Sequence, residues 1–141
     1  MTAPRRLAVA HDIADHTSEL LVRLRAGSLA DLMAEAGRAL AEIQLRETGS
    51  VAEGAWRAVE VSASDPAGLL ADWLNELIYL GETERWVATE FDLEAAGAML
   101  RGRARGVTLG QAPVLVKAAT LHGVRVDRVP GGLTGEVILD I

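Results

Sequence analysis

The segment spanning residues 11–19 is the first place where the residue types could support chemistry, because it carries five ionisable side chains in nine positions. Two histidines separated by acids are compatible with a transition metal, since imidazole is a common ligand of zinc, nickel and copper. Three carboxylates also suit a hard cation such as calcium or magnesium, which prefers oxygen donors. A solvated turn is the commonest structure for such residues. All three interpretations stay open, and the side chains concerned are His11, Asp12, Asp15, His16 and Glu19.

A second candidate lies at residues 136–141, where an alternating strand pattern continues to the last residue. A strand held in a sheet to its end would fix the carboxylate of Asp140 beside the terminal carboxylate of Ile141. Two adjacent anionic oxygen donors would result, and they suit a hard cation. The pattern alone favours an ordinary edge strand with a solvated end.

The third candidate is the polar segment that begins at Lys117 and includes His122. A lysine on an apolar strand commonly protects an exposed sheet edge. As a compact point charge it also suits a phosphate or a cluster of carboxylates, and His122 could lie near the same spot. A histidine that donates an ordinary hydrogen bond at a strand corner is the simpler alternative for His122.

The composition restricts the remaining chemistry. The chain has 141 residues, no cysteine and a formal net charge of −6, and Lys117 is the only lysine among its 14 cations. Disulfides, thiolate metal sites and cysteine nucleophiles are therefore excluded. A net-negative chain is a poor binder of nucleic acid by itself, so we expect any work on RNA to go through a partner. The glycine-rich phosphate loops and the serine and zinc motifs of common hydrolases are absent from the sequence.

The chain length and the lack of repeats or linkers predict one domain over residues 1–141. The apolar run at residues 7–10 is too short for a signal peptide, and no apolar stretch approaches the length of a membrane span. We therefore expect a cytoplasmic protein with no membrane partner.

Two helices are indicated by residues that favour helix starts. Ser28 begins the first, which runs to about Leu45, and Asp65 followed by Pro66 begins the second, which we expect to stop at Gly81. Together with the strands, this order predicts an α+β domain with two main helices packed on a mostly antiparallel (mixed) β-sheet. Period-two alternation predicts strands at residues 20–24, 56–62, 86–93, 99–107, 114–118, 124–128 and 133–139.

Four segments, taken in order, resemble the archease family. Residues 16–19 (His-Thr-Ser-Glu) resemble its opening His-Thr-Ala-Asp motif, and residues 73–80 (Trp-Leu-Asn-Glu-Leu-Ile-Tyr-Leu) resemble its central helix. Residues 117–122 (Lys-Ala-Ala-Thr-Leu-His) resemble its Lys-Ala-x-Thr-Tyr-His segment, and residues 137–141 (Val-Ile-Leu-Asp-Ile) resemble its C-terminal Val-x-x-Asp-Ile end. The resemblance covers nearly the whole chain.

This resemblance implies a small α+β protein that is an accessory factor of an RtcB-type RNA ligase and not itself an enzyme. Such a factor promotes guanylylation of the ligase's active-site histidine and multiple turnover in tRNA splicing or RNA repair. It would meet RNA only indirectly, through the ligase. The resemblance also implies a bound divalent metal, calcium above others, with Glu19, Asp140 and Ile141 as ligands. Lys117, with His122, would serve in activation of the ligase.

The chain departs from the family pattern at Ser18, Glu19 and Leu121, where the family has Ala, Asp and Tyr. Glutamate adds a methylene and moves the carboxylate by roughly an Å, which loosens a tight metal site. Asp15 is our hypothesis for a second carboxylate that compensates. Two other function classes stay open: a stand-alone metal-dependent phosphohydrolase built on the same carboxylates, and a non-catalytic chaperone or scaffold.

Overall fold

A computed structural model describes residues 6–16, 18–46 and 53–141, with the main chain alone for Asp15, His16 and Glu53. These residues form two helices and seven strands. In chain order the elements are β1 (Ala10–His16), β2 (Glu19–Ala26), α1 (Leu29–Gln44), β3 (Glu53–Ser62), α2 (Pro66–Glu84), β4 (Trp86–Ala96), β5 (Met99–Thr108), β6 (Ala118–Val129) and β7 (Gly132–Asp140).

Both helices begin where the sequence predicts. The Ser28 hydroxyl accepts a hydrogen bond from the Asp31 N–H (3.2 Å), which caps the first turn of α1. The Asp65 carboxylate accepts one from the Gly68 N–H (2.7 Å), and Pro66 occupies the first turn of α2, where its missing N–H costs nothing.

The predicted stop of α2 at Gly81 is wrong. The helix continues to Glu84 and ends at Arg85, whose φ of 57° gives the left-handed cap. Gly81 instead allows a close contact, because a Cβ at this position would lie 3.1 Å from Cγ of Pro113. A side chain here would press on Pro113 by a few tenths of an ångström, so the glycine favours close packing against the segment that leads into β6.

The α+β class, the two helices and the antiparallel strands are confirmed, but the strands form two sheets and not one. The order is β1-β2-β7-β6 in the first sheet and β3-β5-β4 in the second, and every pairing among the described residues is antiparallel. Alternation predicts which side chains share a face, but it does not say which strands are neighbours. We call these the four-stranded and the three-stranded sheet.

Both helices pack between the two sheets and bury a common apolar core. Trp73 of α2 is fully buried, its indole N–H donates to the Met33 carbonyl (2.8 Å), and its ring meets Phe91 edge-on at 5.9 Å. Side chains of this size dominate the hydrophobic stabilisation of a small domain. The core therefore fixes α1 and α2 relative to the sheet that carries the candidate residues. None of the helices in the described ranges is long and apolar enough to cross a membrane.

Two segments differ from the sequence prediction. Most of residues 11–19 forms strands, since β1 pairs with β2 from Ala10 opposite Arg25 to His16 opposite Glu19. The predicted strand at 114–118 is wrong, because the chain is irregular through Lys117 and β6 begins only at Ala118. The apolar residues of that segment point in part to solvent, so they do not alternate between a core face and a polar face.

Candidate functional site

Strand pairing brings Glu19 and Asp140 directly opposite each other. β7 lies between β2 and β6, so the expectation of an edge strand at residues 136–141 is wrong. The next residues along, Leu20 and Leu139, are buried against the helices, and this alternation puts both carboxylates on the exposed outer face. Opposed side chains in such a pair have Cβ atoms about 5 Å apart.

Main-chain hydrogen bonds hold the other predicted residues at the same end of the sheet. The Lys117 N–H donates to the Asp140 carbonyl (2.8 Å), and the Ile141 N–H donates to the Ser18 carbonyl (3.1 Å). The Ile141 side chain packs against the core, while Lys117 is exposed. Glu19, Lys117, Asp140 and Ile141 therefore form one group, which we call the sheet-end cluster.

Asn75 positions the start of β6, and it is not among the site residues predicted from the sequence. Its side-chain amide donates to the Ala119 carbonyl (2.9 Å) and accepts from the Ala119 N–H (2.8 Å), two residues beyond Lys117. The helix thereby fixes the start of β6 through both main-chain groups of one residue. The signal in the sequence was the polar pair Asn75 and Glu76 between apolar residues of the helix segment 73–80.

His122 lies on β6 in the irregular stretch between Thr120 and Arg125, and it is exposed. Its main-chain N–H donates to Oγ1 of Thr120 (3.0 Å). Among the side chains that the structure describes, no hydrogen bond or ion pair joins His122 to Lys117. The role of His122 beside Lys117 stays a prediction.

Asp15 also stays a prediction, because its side chain lies outside the described part of the chain, as does that of His16. In the main-chain register Asp15 is opposite Leu20, and His16 is the residue opposite Glu19.

His11 and Asp12 are not part of the sheet-end cluster. The two ring nitrogens of His11 contact separate carboxylates of α1, Nδ1 with Glu35 (2.8 Å) and Nε2 with Glu42. Asp12 accepts from Arg23 (2.9 Å), which is four residues along β2 from Glu19 and so roughly 13 Å away. A transition-metal site that uses His11, or an oxygen site that joins Asp12 to Glu19, is therefore not supported.

The contact of His11 with α1 shifts two pKa values. Burial opposes the charged ring, but the hydrogen bonds to Glu35 and Glu42 and their negative charges outweigh it and raise the pKa of His11 above its ordinary value. Burial likewise opposes the charge on Glu35, whose side chain is nearly enclosed, but hydrogen bonds from Arg38 and His11 lower its pKa overall. Both shifts favour the charged forms, and the contacts of His11 with Glu35 and Glu42 tie β1 to α1.

The sheet-end cluster fits part of the coordination shell of a hard cation. Glu19 and Asp140 supply two carboxylates, and neither has an ion-pair partner among the described side chains. Two like charges directly opposite each other are destabilising, and a bound cation would remove that repulsion. Calcium takes six to eight oxygens, so main-chain carbonyls and water would have to complete the shell. Among the side chains that the structure describes, which exclude those of Asp15 and His16, no group of three His, Asp or Glu is placed to hold a metal.

Two helices between two antiparallel sheets, with a lysine and two carboxylates at one sheet end, define a small α+β protein class that has known relatives. The sequence model described as the Archease protein family (MTH1598/TM1083) matches residues 11–141, and the chain belongs to this family.

Individual relatives agree over nearly the full length. The chain is 30% identical to the protein archease of Archaeoglobus fulgidus over 132 residues, which is 90% of this chain and 96% of that protein. It is 26% identical to the protein archease of Methanopyrus kandleri over 135 residues, again 90% of this chain and 96% of that protein.

Two solved structures share the fold. The solution structure of Methanobacterium thermoautotrophicum protein 1598 superposes with a TM-score of 0.76 at 27% identity, covering 93% of this chain and 98% of that one. The crystal structure of a Thermotoga maritima protein described as "an archease, possible chaperone" superposes with a TM-score of 0.64 at 20% identity, covering 94% and 98%.

Proposed function

We propose that this archease-family chain is an accessory factor of an RtcB-type RNA ligase and acts in the cytoplasm. In this role it promotes transfer of GMP from GTP to the ligase's active-site histidine and supports multiple turnover in tRNA splicing or RNA repair. One observation carries the proposal. Lys117, Glu19 and Asp140 come from distant segments of the chain and meet at one sheet end with no ion-pair partner among the described residues.

The surface beside Lys117 supports a protein partner. Large apolar side chains are exposed on both sides of the lysine: Val114 is 84% exposed, Leu121 is 65% exposed, and Leu115 is also exposed. Tyr79, 58% exposed, lies one helical turn beyond Asn75, the residue that holds Ala119. Apolar side chains gathered on a surface commonly mark a protein-binding site. A protein partner also agrees with the words "possible chaperone" used for the Thermotoga relative.

The charges of the sheet-end cluster suggest separate roles for Lys117 and for the carboxylates. Lys117 is a mobile point charge that suits a phosphate of GTP or an acid of the ligase. Glu19, Asp140 and the main chain of Ile141 would hold a divalent cation, calcium above others. When bound, that ion supplies the positive charge that lets the two carboxylates lie together. A chain with a net charge of −6 is attracted to a basic surface that handles RNA, which speeds association with the ligase.

The test is GMP transfer from radiolabelled GTP to purified ligase, with and without this protein. We expect Lys117→Ala to lower the stimulated rate about tenfold or more, because one charged contact to a phosphate is worth that much. Lys117→Arg separates charge from shape, and Arg101→Ala, an exposed cation of the three-stranded sheet, is the matched control.

Full stimulation by Lys117→Ala would show that the lysine is structural and would overturn the proposal. Release of product from a phosphoester without any ligase would favour the phosphohydrolase. If removal of both the Glu19 and Asp140 carboxylates changes only stability, the chaperone or scaffold is favoured instead.

A further inference from the structure

The outer face of the four-stranded sheet contains a depression of about 440 Å³ that the proposed function does not use. Its volume is in the range of small-molecule sites. It begins at Arg23, roughly 13 Å along β2 from Glu19, and continues away from the sheet-end cluster. Its lining includes Arg23, Arg25 and Arg125 and the carboxylates of Asp12, Asp127 and Glu136. His11 lines it too, but both of its ring nitrogens contact carboxylates of α1.

Arg25 lies between two small residues on the outer face of the four-stranded sheet. Its neighbours in register are Ala10 on β1 and Thr134 on β7, and both are small. The space above them is therefore open, and the arginine is exposed at its edge. No carboxylate of the described residues forms an ion pair with Arg25. An arginine that is next to a cavity and has no internal partner is available to an anionic ligand.

The other charges of the depression are already paired. Arg23 is held by Asp12 (2.9 Å) and lies 3.8 Å from Glu136, and Arg125 is held by Asp127 (3.0 Å). Each carboxylate has further lone pairs and can accept hydrogen bonds from hydroxyl or N–H donors of a ligand. The lining thus offers one free cation beside several fixed acceptors.

We propose that this depression binds a nucleoside monophosphate. The phosphate contacts Arg25, whose planar guanidinium can donate two parallel hydrogen bonds to phosphate oxygens. The sugar hydroxyls and base N–H groups donate to the carboxylates along the depression.

The charges select against larger anions. The three carboxylates of the lining are matched by its three arginines, and only Arg25 is unpaired among the described residues, so a second phosphate group would have no free cation. The net charge of −6 repels a nucleic-acid strand. A ligand with one phosphate group and neutral hydrogen-bond donors therefore matches the one unpaired arginine and the carboxylate acceptors. The inference does not depend on the ligase or on a metal at the sheet-end cluster.

The experiment is a titration of the whole chain at low salt, followed by amide chemical shifts in NMR and by calorimetry. The ligands are GMP and AMP, with guanosine, inorganic phosphate and a ten-nucleotide single-stranded RNA as comparison arms. We expect saturable binding of a monophosphate, with shifts at β2 and β7 around Arg25. Arg25→Gln should weaken it about tenfold. Arg101→Gln, which changes another exposed arginine, on the three-stranded sheet, should leave it unchanged.

A second variant, Ala10→Leu, narrows the depression beside Arg25 and keeps the arginine, so it should also weaken binding without removing a charge. The proposal is overturned if no monophosphate saturates or if Arg25→Gln binds as well as the wild type. It also fails if guanosine or inorganic phosphate binds as tightly as GMP, or if the RNA binds more tightly. The ligase is absent throughout, so this result and the outcome of the GMP-transfer assay are independent.

Discussion

The outer faces of the two sheets carry similar charged residues and use them differently. On the three-stranded sheet, arginines at alternate positions of β5 lie opposite carboxylates of β4. The pairs are Arg101 with Glu94 (3.6 Å), Arg103 with Asp92 (3.0 Å) and Arg105 with Glu90 (2.6 Å). The guanidinium groups of Arg103 and Arg105 also lie over the Trp56 ring, 4.5 and 4.9 Å from its centroid. Every arginine of β5 therefore has a carboxylate partner on this face.

Four charged residues of the other face have no ion-pair partner in the part of the chain that the structure describes: Glu19, Arg25 and Asp140 on the four-stranded sheet, and Lys117 just before β6. A paired arginine must give up its carboxylate before it binds a ligand, whereas an unpaired one exchanges only water. Ligand and partner contacts are therefore expected on the four-stranded sheet. The three arginine–carboxylate pairs of β4 and β5, which we call the paired row, serve as a control.

The largest expected difference between the two faces is in calcium affinity. Glu19→Gln removes one of the two opposed carboxylates, and we expect calcium binding to weaken by about a hundredfold, or 2.7 kcal/mol. Glu94→Gln on the three-stranded sheet should bind as the wild type does. Calorimetric titration measures both, and Asp15→Asn in the same series decides whether Asp15 is a ligand.

The same variant has an opposite effect without calcium. Because it removes a like-charge repulsion, Glu19→Gln should unfold in EDTA at the same temperature as the wild type or higher. A lower melting temperature in EDTA together with unchanged calcium affinity would show that Glu19 has a structural role and is not a ligand.

The second expected effect concerns the hold of α2 on the sheet-end cluster. Asn75→Ala removes two hydrogen bonds and leaves both main-chain groups of Ala119 without their partner. We expect the free energy of unfolding in urea to fall by about 2 kcal/mol. Glu76→Ala, the exposed neighbour on the same helix, is the control and should stay within about 0.5 kcal/mol. An equal loss of unfolding free energy in the two variants would show that the hydrogen bonds of Asn75 to Ala119 do not stabilise the fold.

The third expected effect is a pH dependence at the junction of β1 and α1. The pKa of His11 is raised, so its stabilisation is complete below the ordinary value of 6.5 and is lost as the pH rises through the raised pKa. The pKa of Glu35 is lowered, so its stabilisation is present above 4.5 and is lost as the pH falls through the lowered pKa. The cost of His11→Gln should therefore be largest, about 1 kcal/mol, between these two values.

Unfolding of wild type and His11→Gln at pH 5.5 and pH 9 measures this difference. The two proteins should differ at pH 5.5 and converge at pH 9. A difference that stays constant across that interval would mean that His11 stabilises by packing and not by charge.

Local signals in the sequence predicted the helices well and the strands unevenly. Ser28 and Asp65 mark helix starts through contacts within one turn, so a single segment contains the information. β1 was not predicted because His11 and Asp12 interrupt the apolar alternation, and their partners come from α1 and β2. Main-chain pairing with β2 and ionic contacts with α1 and β2 hold that strand, and no pattern inside residues 10–16 reveals them.

The site depends on pairing that spacing does not encode. Glu19 and Asp140 lie near opposite ends of the chain, and only the placement of β7 beside β2 makes them opposite. The residue types suggested oxygen donors for a hard cation. Only the family resemblance implied that Glu19 joins Asp140 and Ile141 in one site. Arg25 gave no signal at all, because its significance is the small size of Ala10 and Thr134 across two strand pairs.

The smallest expected effect belongs to the paired row of the three-stranded sheet. Asp92→Asn breaks the 3.0 Å pair with Arg103, in which both side chains are more than half exposed. Exposed pairs of this kind gain little, because water solvates both charges well and the two long side chains lose freedom when they pair. We expect a loss within about 0.5 kcal/mol that disappears in 1 M salt, where the screening length is about 3 Å.

Asp92→Asn should also leave calcium binding, nucleotide binding and ligase stimulation unchanged. The test separates two explanations of why an arginine such as Arg25 would bind an anion. If freeing Arg103 creates a new anion site on the three-stranded sheet, the absence of a partner is enough to make an arginine a binding residue. If it does not, the depression around Arg25 is also required, since an arginine on a flat surface binds anions weakly wherever it lies.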